Sequence, residues 1–274
     1  MNEVPELITS TTNSLVKIMR ALDRKKTRME TGWFLAEGAR LVQQGLDRGW
    51  RAEAVVAAQD AISRQHINAI LETAKLSGAR IVAAPERVLA QISRKDNPQT
   101  VLAAFHQRDL ALETLADRLG DWIALYEVRD PGNLGTILRT ADCAGAAGVV
   151  LVGTCCDPYS VEAVRASMGS VFDMPFVATD FARFDGWRRD RGLPMIAASV
   201  NGRTRHDQAD YGAASVILMG NEQAGLPPEV EAACDTLALI PMRGGADSLN
   251  LAQATALMTY EAWRARGFQG ARNA

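Results

Sequence analysis

Three loops of this chain hold the residues whose types and spacing suit chemistry. The first reads Arg129-Asp130-Pro131-Gly132-Asn133-Leu134-Gly135-Thr136-Ile137-Leu138-Arg139. Pro131-Gly132 predicts a turn, Asn133 sits where the cap of a following helix is expected, and Arg139 follows less than two turns into that helix. As structure alone, Asn133 is a cap and Arg139 a solvated helix residue. As chemistry, an amide and a guanidinium stand near one crevice, and a guanidinium suits phosphate oxygens. The second loop, Met219-Gly220-Asn221-Glu222-Gln223-Ala224-Gly225-Leu226-Pro227, has the glycine spacing of a phosphate loop. It lacks the Lys-Ser/Thr pair that should follow, which disfavours a nucleotide triphosphate. Glu222 is placed there to bond backbone amides or a ligand, unless the loop is a plain turn. The third loop runs from Ile240 through Met242, Gly244-Gly245, Ser248, Leu249 and Asn250 into an apolar helix reaching about Arg264. Ser248 is the expected N-cap, with Asn250 in the first turn.

Loops of this kind need rigid elements behind them. From Trp122 onward, apolar runs at 122–128, 149–152, 175–178, 195–198, 216–219 and 236–240 read as six strands with helical segments between most of them. Near-continuous apolar strands are covered on both faces, which predicts a mostly parallel sheet with its ligand crevice beyond the carboxyl ends of the strands. All three loops lie at such ends. Before them, strands at 32–36, 54–58, 80–84 and 100–105 alternate with helices at 39–48, 65–76 and 85–92, forming a smaller α/β domain. The expected division is a first domain over 1–107, a helical connector over 108–120 and a second domain over 121–274.

Composition narrows the function classes. The 274 residues are 47% hydrophobic and 23% charged, ordinary values that exclude wholesale disorder, a fibrous repeat and a disulfide scaffold. The net charge of −2 excludes a globally basic nucleic-acid binder. Charge is uneven, however. Lys17, Arg20, Arg24, Lys25, Lys26 and Arg28 against Asp23 give +5 in twelve positions, leaving −7 for the rest. The spacing Leu15, Ile18, Met19, Leu22 is that of an amphipathic helix whose other face, with the loop after it, carries these cations: a solvated face, or a phosphate-binding surface that includes Lys25, Lys26 and Arg28. Cys143, Cys155, Cys156 and Cys234 contain no C-x-x-C pair and the three histidines are scattered, so no metal site is expected and the thiols read as reduced. The first residues lack the pattern of a signal peptide, and no apolar run approaches the ~20 residues that span a bilayer. A cytoplasmic protein away from membranes is expected.

Taken together, N-L-G-T-I-L-R-T-A at 133–141, G-N-E-x-x-G-L at 220–226 and I-P-M with S-L-N-L-A at 240–252 resemble the three signature motifs of the SpoU/TrmH family of RNA ribose 2′-O-methyltransferases. Residues 12–107, with N-P-Q-T-V-L-A at 97–103, resemble less specifically the family's ribosomal-protein-like N-terminal RNA-binding domain. The second motif departs at Gln223 and Ala224, where glycine commonly follows the glutamate.

The resemblance implies an α/β trefoil knot in the C-terminal domain and a homodimer with the active site near the subunit interface. It implies S-adenosylmethionine as methyl donor without a metal, held by Gly220, Ile240 and Leu249 with Leu218, Met219 and Met242 adjacent. Arg139 matches the family's catalytic arginine, and Asn133, Glu222, Ser248 and Asn250 match its other active-site positions. A guanidinium is a poor base, so Arg139 is expected mainly to clamp a substrate phosphate and orient the 2′-hydroxyl, taking the proton only where bound RNA perturbs it. Ribosomal RNA is the first expectation for the substrate and transfer RNA the second. The competing readings are a non-catalytic RNA-binding protein of the same fold and a base methyltransferase.

Overall fold

The apolar runs do become strands. A computed structural model describes residues 5–115 and 117–272. The first part contains β1 (Glu6–Leu7), α1 (Ser14–Ala21), α2 (Lys25–Thr31), β2 (Trp33–Glu37), α3 (Ala39–Asp47), β3 (Ala52–Ala58), α4 (Gln65–Leu76), β4 (Arg80–Ala84), α5 (Glu86–Ser93) and β5 (Val101–His106). Its five strands run in the order β1-β4-β3-β5-β2, with β1, β4 and β3 parallel and β5 antiparallel to both β3 and β2.

The second part contains β6 (Trp122–Tyr126), α6 (Pro131–Ala144), β7 (Gly148–Val152), α7 (Val161–Ala166), β8 (Phe176–Thr179), α8 (Phe181–Asp190), β9 (Met195–Ala198), β10 (Thr204–Arg205), β11 (Val216–Met219), α9 (Pro228–Ala232), β12 (Thr236–Leu239) and α10 (Leu251–Ala265). Seven strands in the order β10-β12-β9-β11-β6-β7-β8 make a sheet whose every pairing is parallel. Six of them answer the six apolar runs; β10 is an added two-residue edge. The central strands are buried along their length, as doubly covered strands must be. Gly148 is required there, because a Cβ at that position would meet the Trp122 ring at 2.5 Å.

By internal packing the chain forms two compact units. One comprises the residues up to Arg108 together with Asp157–Phe172; the other comprises Asp109–Cys156 and the residues from Asp173 onward. The first unit therefore takes α7 and its flanks from just past the midpoint of the sequence. Tyr159 and Phe172 from that segment close an aromatic cluster with Phe34, Trp50 and Phe105, at ring separations of 4.7 Å for Phe34–Tyr159 and 5.1 Å for Phe105–Phe172. The Trp50 indole N–H donates to the Phe172 carbonyl at 3.0 Å.

Two local expectations fail. The connector over 108–120 is not a regular helix: a short 3₁₀ turn at Leu112–Leu115 inserts Leu112 and Leu115 into the second unit's core. The basic stretch after α1 is not a loop but α2, ended by Gly32 in the left-handed conformation at φ 68°. Within α2, Arg28 is buried. Its Nε and Nη2 donate to Asp157 Oδ2 at 2.9 and 2.7 Å, and its Nη1 donates to the carbonyls of Leu22 and Asp23. Arg28 is thus a structural cation spent inside the first unit, which corrects its expected place on an RNA surface. Lys25 and Lys26 remain exposed. All four cysteines are free. No described helix is long and apolar enough to cross a membrane, and the described residues hold no metal-ligand cluster.

Candidate functional site

The three loops meet at the carboxyl ends of β6, β11 and β12. β6 leaves the sheet through Glu127, held at φ 50°, a strained conformation for a residue with a Cβ. The chain then turns into α6, whose cap is Asp130 rather than Asn133. The Asp130 carboxylate accepts from the Asn133 backbone N–H at 2.7 Å, and Pro131 fits the first turn, where a missing N–H costs nothing. Asn133 is thereby released for another task.

That task is a relay of side chains across all three loops. The Glu222 carboxylate accepts from the backbone N–H groups of Arg129 and Asp130 at 3.1 Å each, and from the Asn133 amide at 3.3 Å. Asn133 Oδ1 accepts in turn from Asn250 Nδ2 at 2.9 Å. Asn250, not Ser248, caps α10: its Oδ1 accepts from the Ala252 and Gln253 N–H groups at 2.9 and 3.4 Å. The polarity of this chain is determined at both ends. A carboxylate can only accept and helix N–H groups can only donate, so each asparagine has one permitted amide orientation. Burial pushes the Glu222 carboxyl up, but the backbone donors of Arg129, Glu222 itself and Asp130, with the Asn133 amide, outweigh it and hold the group below its ordinary value. At neutral pH Glu222 is an anion held in place by these donors.

Asn221 closes the second loop, a role its place in the sequence did not suggest. Its backbone pairs with Gly225 in both directions at 3.0 Å, its amide donates to the Glu127 carbonyl at 2.8 Å, and its Oδ1 accepts from the N–H groups of Gln223 and Ala224. This explains the departure at 223 and 224, since only their backbone N–H groups are used. Gly220 is obligatory: a Cβ there would stand 2.5 Å from the Gly225 carbonyl carbon.

Beside the relay lies a cleft of about 420 Å³. Met219, Gly220, Glu222, Ile240, Met242, Ser248 and Leu249 line it. Leu218 does not: it is fully buried within β11. Ser199, Asn201 and Glu231 line the cleft and were not anticipated. They are joined to each other, Ser199 Oγ to Glu231 at 2.5 Å and Asn201 Nδ2 to Glu231 at 3.1 Å. The polar loop after β9 is a signal that the strand-end rule offers; Glu231 on the short α9 leaves none. The lining includes three carboxylates (Glu222, Glu231, Asp247) and no Lys, Arg or His. An anionic cofactor such as a nucleotide triphosphate is therefore disfavoured, whereas a ligand with an apolar ring and a positive charge matches.

Arg139 is not part of this cluster. It stands on the exposed side of α6, does not line the cleft, and makes no hydrogen bond or ion pair with the described residues.

Residues 122–260 match the model of the SpoU rRNA methylase family, half of the chain. The chain belongs to that family. Residues 13–103 match the MRM3-like substrate binding domain. An AdoMet-bound rRNA methyltransferase from Sinorhizobium meliloti is 43% identical, with a TM-score of 0.88 over 95% of this chain and 98% of that one. A Bacillus subtilis relative named 23S rRNA (guanosine(2553)-2′-O)-methyltransferase is 28% identical over 92% of this chain and 97% of its own length. A 23S rRNA (uridine(2479)-2′-O)-methyltransferase of Streptomyces viridochromogenes is 29% identical over 89% and 87%. Family membership thus spans both units.

Proposed function

We propose that this SpoU-family chain transfers a methyl group from S-adenosylmethionine to a ribose 2′-hydroxyl of ribosomal RNA. The observation that carries the cofactor assignment is the cleft without a basic side chain, lined by three carboxylates and by apolar Met219, Leu239, Ile240 and Leu249. S-Adenosylmethionine is a purine-bearing cation, and when bound it supplies an activated methyl on positive sulfur. The apolar residues fit the purine, and Glu222 and Glu231 fit the positive charge. The two 23S rRNA enzymes named above support the substrate class.

The residues of the chain then divide the work. Gly220, Ile240 and Leu249, with Met219 and Met242, hold the cofactor. The relay Asn250–Asn133–Glu222 fixes the mouth of the cleft so that the nucleophilic oxygen approaches along one line. Ser248, exposed at the mouth and not needed as a cap, contacts substrate or cofactor. Arg139, uncommitted to any described group, clamps an RNA phosphate beside the target ribose and orients the hydroxyl. A guanidinium keeps its proton in neutral water and does not act as the base, so the hydroxyl proton passes to solvent water as the methyl is transferred and the sulfonium becomes a neutral thioether. Lysine keeps the charge but loses the planar fork. Arg139→Lys is therefore expected to lower kcat/KM for RNA about tenfold without changing cofactor affinity; near-normal turnover would remove the need for a fork.

The same reading includes a homodimer. Leu257, Tyr260 and Phe268 are 40–45% exposed and line a groove along α10 with Ala256, an apolar face that a second copy would cover. Mass in solution by light scattering tests this. The first unit, with Lys25 and Lys26 exposed, is the RNA-binding half.

Calorimetric titration with S-adenosylmethionine, followed by mapping of the methyl on an unmodified 23S rRNA transcript, tests the function. Binding plus a ribose methyl supports it. A methyl on a base, or no cofactor binding with and without RNA, overturns it.

A further inference from the structure

The first unit contains a buried carboxylate that its own fold does not fully use. Glu37, the last residue of β2, has a side chain only 7% exposed. One oxygen, Oε2, accepts from the Lys95 ammonium, and from Arg165 Nη2 at 3.2 Å. The other, Oε1, is buried with no partner among the described residues. Three segments far apart in sequence converge here: the end of β2, the loop before β5, and α7. A buried carboxylate is costly to desolvate, and this one carries two cations on a single oxygen.

The cations are not consumed by the pairing. An ammonium has three donors and a guanidinium five, and among the described residues the bonds to Glu37 are the ones these two side chains make. Their side chains are 32% and 56% exposed. Two cations on one anion leave one net positive charge, with free N–H groups facing solvent. The backbone is shaped to deliver them. Arg94, just before Lys95, adopts the left-handed conformation at φ 54°, and its guanidinium reaches Asp23 in the turn between α1 and α2 at 2.7 Å. That ion pair ties the Lys95 loop to the helix turn followed by Arg24 and Lys25, both exposed.

We propose that Lys95 and Arg165 form a clamp for a backbone phosphate of the RNA substrate, positioned by the buried Glu37 carboxylate. The phosphate is held between an ammonium and a guanidinium whose heads are fixed before it arrives. The clamp rests on the RNA-modifying function proposed above and extends the RNA surface from α1 and α2 to a residue of α7, which the sequence places in the methylase half.

The test is binding of the full-length protein to an unmodified 23S rRNA transcript over a series of salt concentrations. Each phosphate that a cation neutralises steepens the plot of log affinity against log salt by about 0.7–0.9. The Lys95→Gln/Arg165→Gln double variant is expected to flatten that plot by about 0.7–0.9, the value for one phosphate, and to bind S-adenosylmethionine as before. Arg165→Lys should restore most of the Arg165 share. Glu37→Gln separates positioning from mere charge. Deleting an anion from a diffuse basic patch tightens RNA binding, whereas deleting the anchor of a clamp weakens it at unchanged slope. Weaker binding by Glu37→Gln, with its melting temperature checked, is the expected result. An unaltered slope in a folded double variant, or tighter binding by Glu37→Gln, overturns the clamp. If the wild-type protein shows no salt-dependent RNA binding at all, the RNA function itself fails.

Discussion

Glu222→Gln should lower kcat for RNA methylation by about two orders of magnitude while shifting S-adenosylmethionine affinity only a few-fold. The carboxylate accepts from two backbone N–H groups and one side-chain amide. The glutamine amide has one acceptor and turns an NH₂ group toward one of those donors, so a bond becomes a donor–donor conflict worth about 1–3 kcal/mol. The loop from Val128 to Pro131 and the start of α6 then lose their fastening to the second loop. Asn133 is then oriented from the Asn250 side alone. A misplacement near 1 Å at a reacting centre costs about 10²-fold. Single-turnover kinetics at saturating RNA, alongside calorimetric cofactor titration, separate the two effects. Because the Glu222 carboxyl is held below its ordinary value, its ionised form is retained from neutrality to below that value. Its stabilising contribution is lost only as pH falls through that depressed value, so this group should leave no inflection in the wild-type rate profile near neutral pH. An inflection abolished by Glu222→Gln would assign it a proton-transfer role instead.

The second large effect is on stability. Arg28→Met should cost about 3–5 kcal/mol and lower the melting transition by roughly 10 °C. The guanidinium is buried and donates to Asp157 and to two carbonyls, so its loss strands an anion that is itself only 15% exposed, together with the Leu22 and Asp23 carbonyls. Removing both charges in Arg28→Met/Asp157→Leu should recover part of the loss, since a buried pair replaced by apolar groups is often tolerated where a broken pair is not. Lys25→Gln and Lys26→Gln, at exposed positions, should leave melting unchanged and flatten the salt dependence of RNA binding. Melting curves of the four variants decide it: an unshifted Arg28→Met would return that residue to the RNA surface.

These predictions mark where sequence was legible. The strands of the parallel sheet were readable because burial on both faces leaves unbroken apolar runs, as in Gly148–Val152 and Val216–Met219. The two-residue strands β1 and β10 carry no such signal. α2 escaped because Lys-Lys-Thr-Arg-Met-Glu-Thr buries no apolar side chain; Gly32 as its stop was the available clue. At the site, Asn133, Glu222 and Asn250 were identifiable by motif. Their caps were misplaced, by three residues at α6 and by two at α10, because Asp, Asn and Ser all cap well. What decides between them is a bond to Glu222 from 89 residues away, which no local pattern contains. Arg28 shows the same limit, since its partner lies 129 residues downstream.

The membership of Asp157–Phe172 in the first unit has a consequence for the order of events during synthesis. A unit ending at Arg108 would fold as soon as that residue left the ribosome. This one must wait for Tyr159 and Phe172 to complete its aromatic cluster and for Asp157 to neutralise Arg28. At typical elongation rates the interval is about 3–13 s, during which β6 and β7 emerge before the neighbours they pair with in β11 and β8. Birth of the two units is therefore interleaved, and neither half is finished before the other has begun.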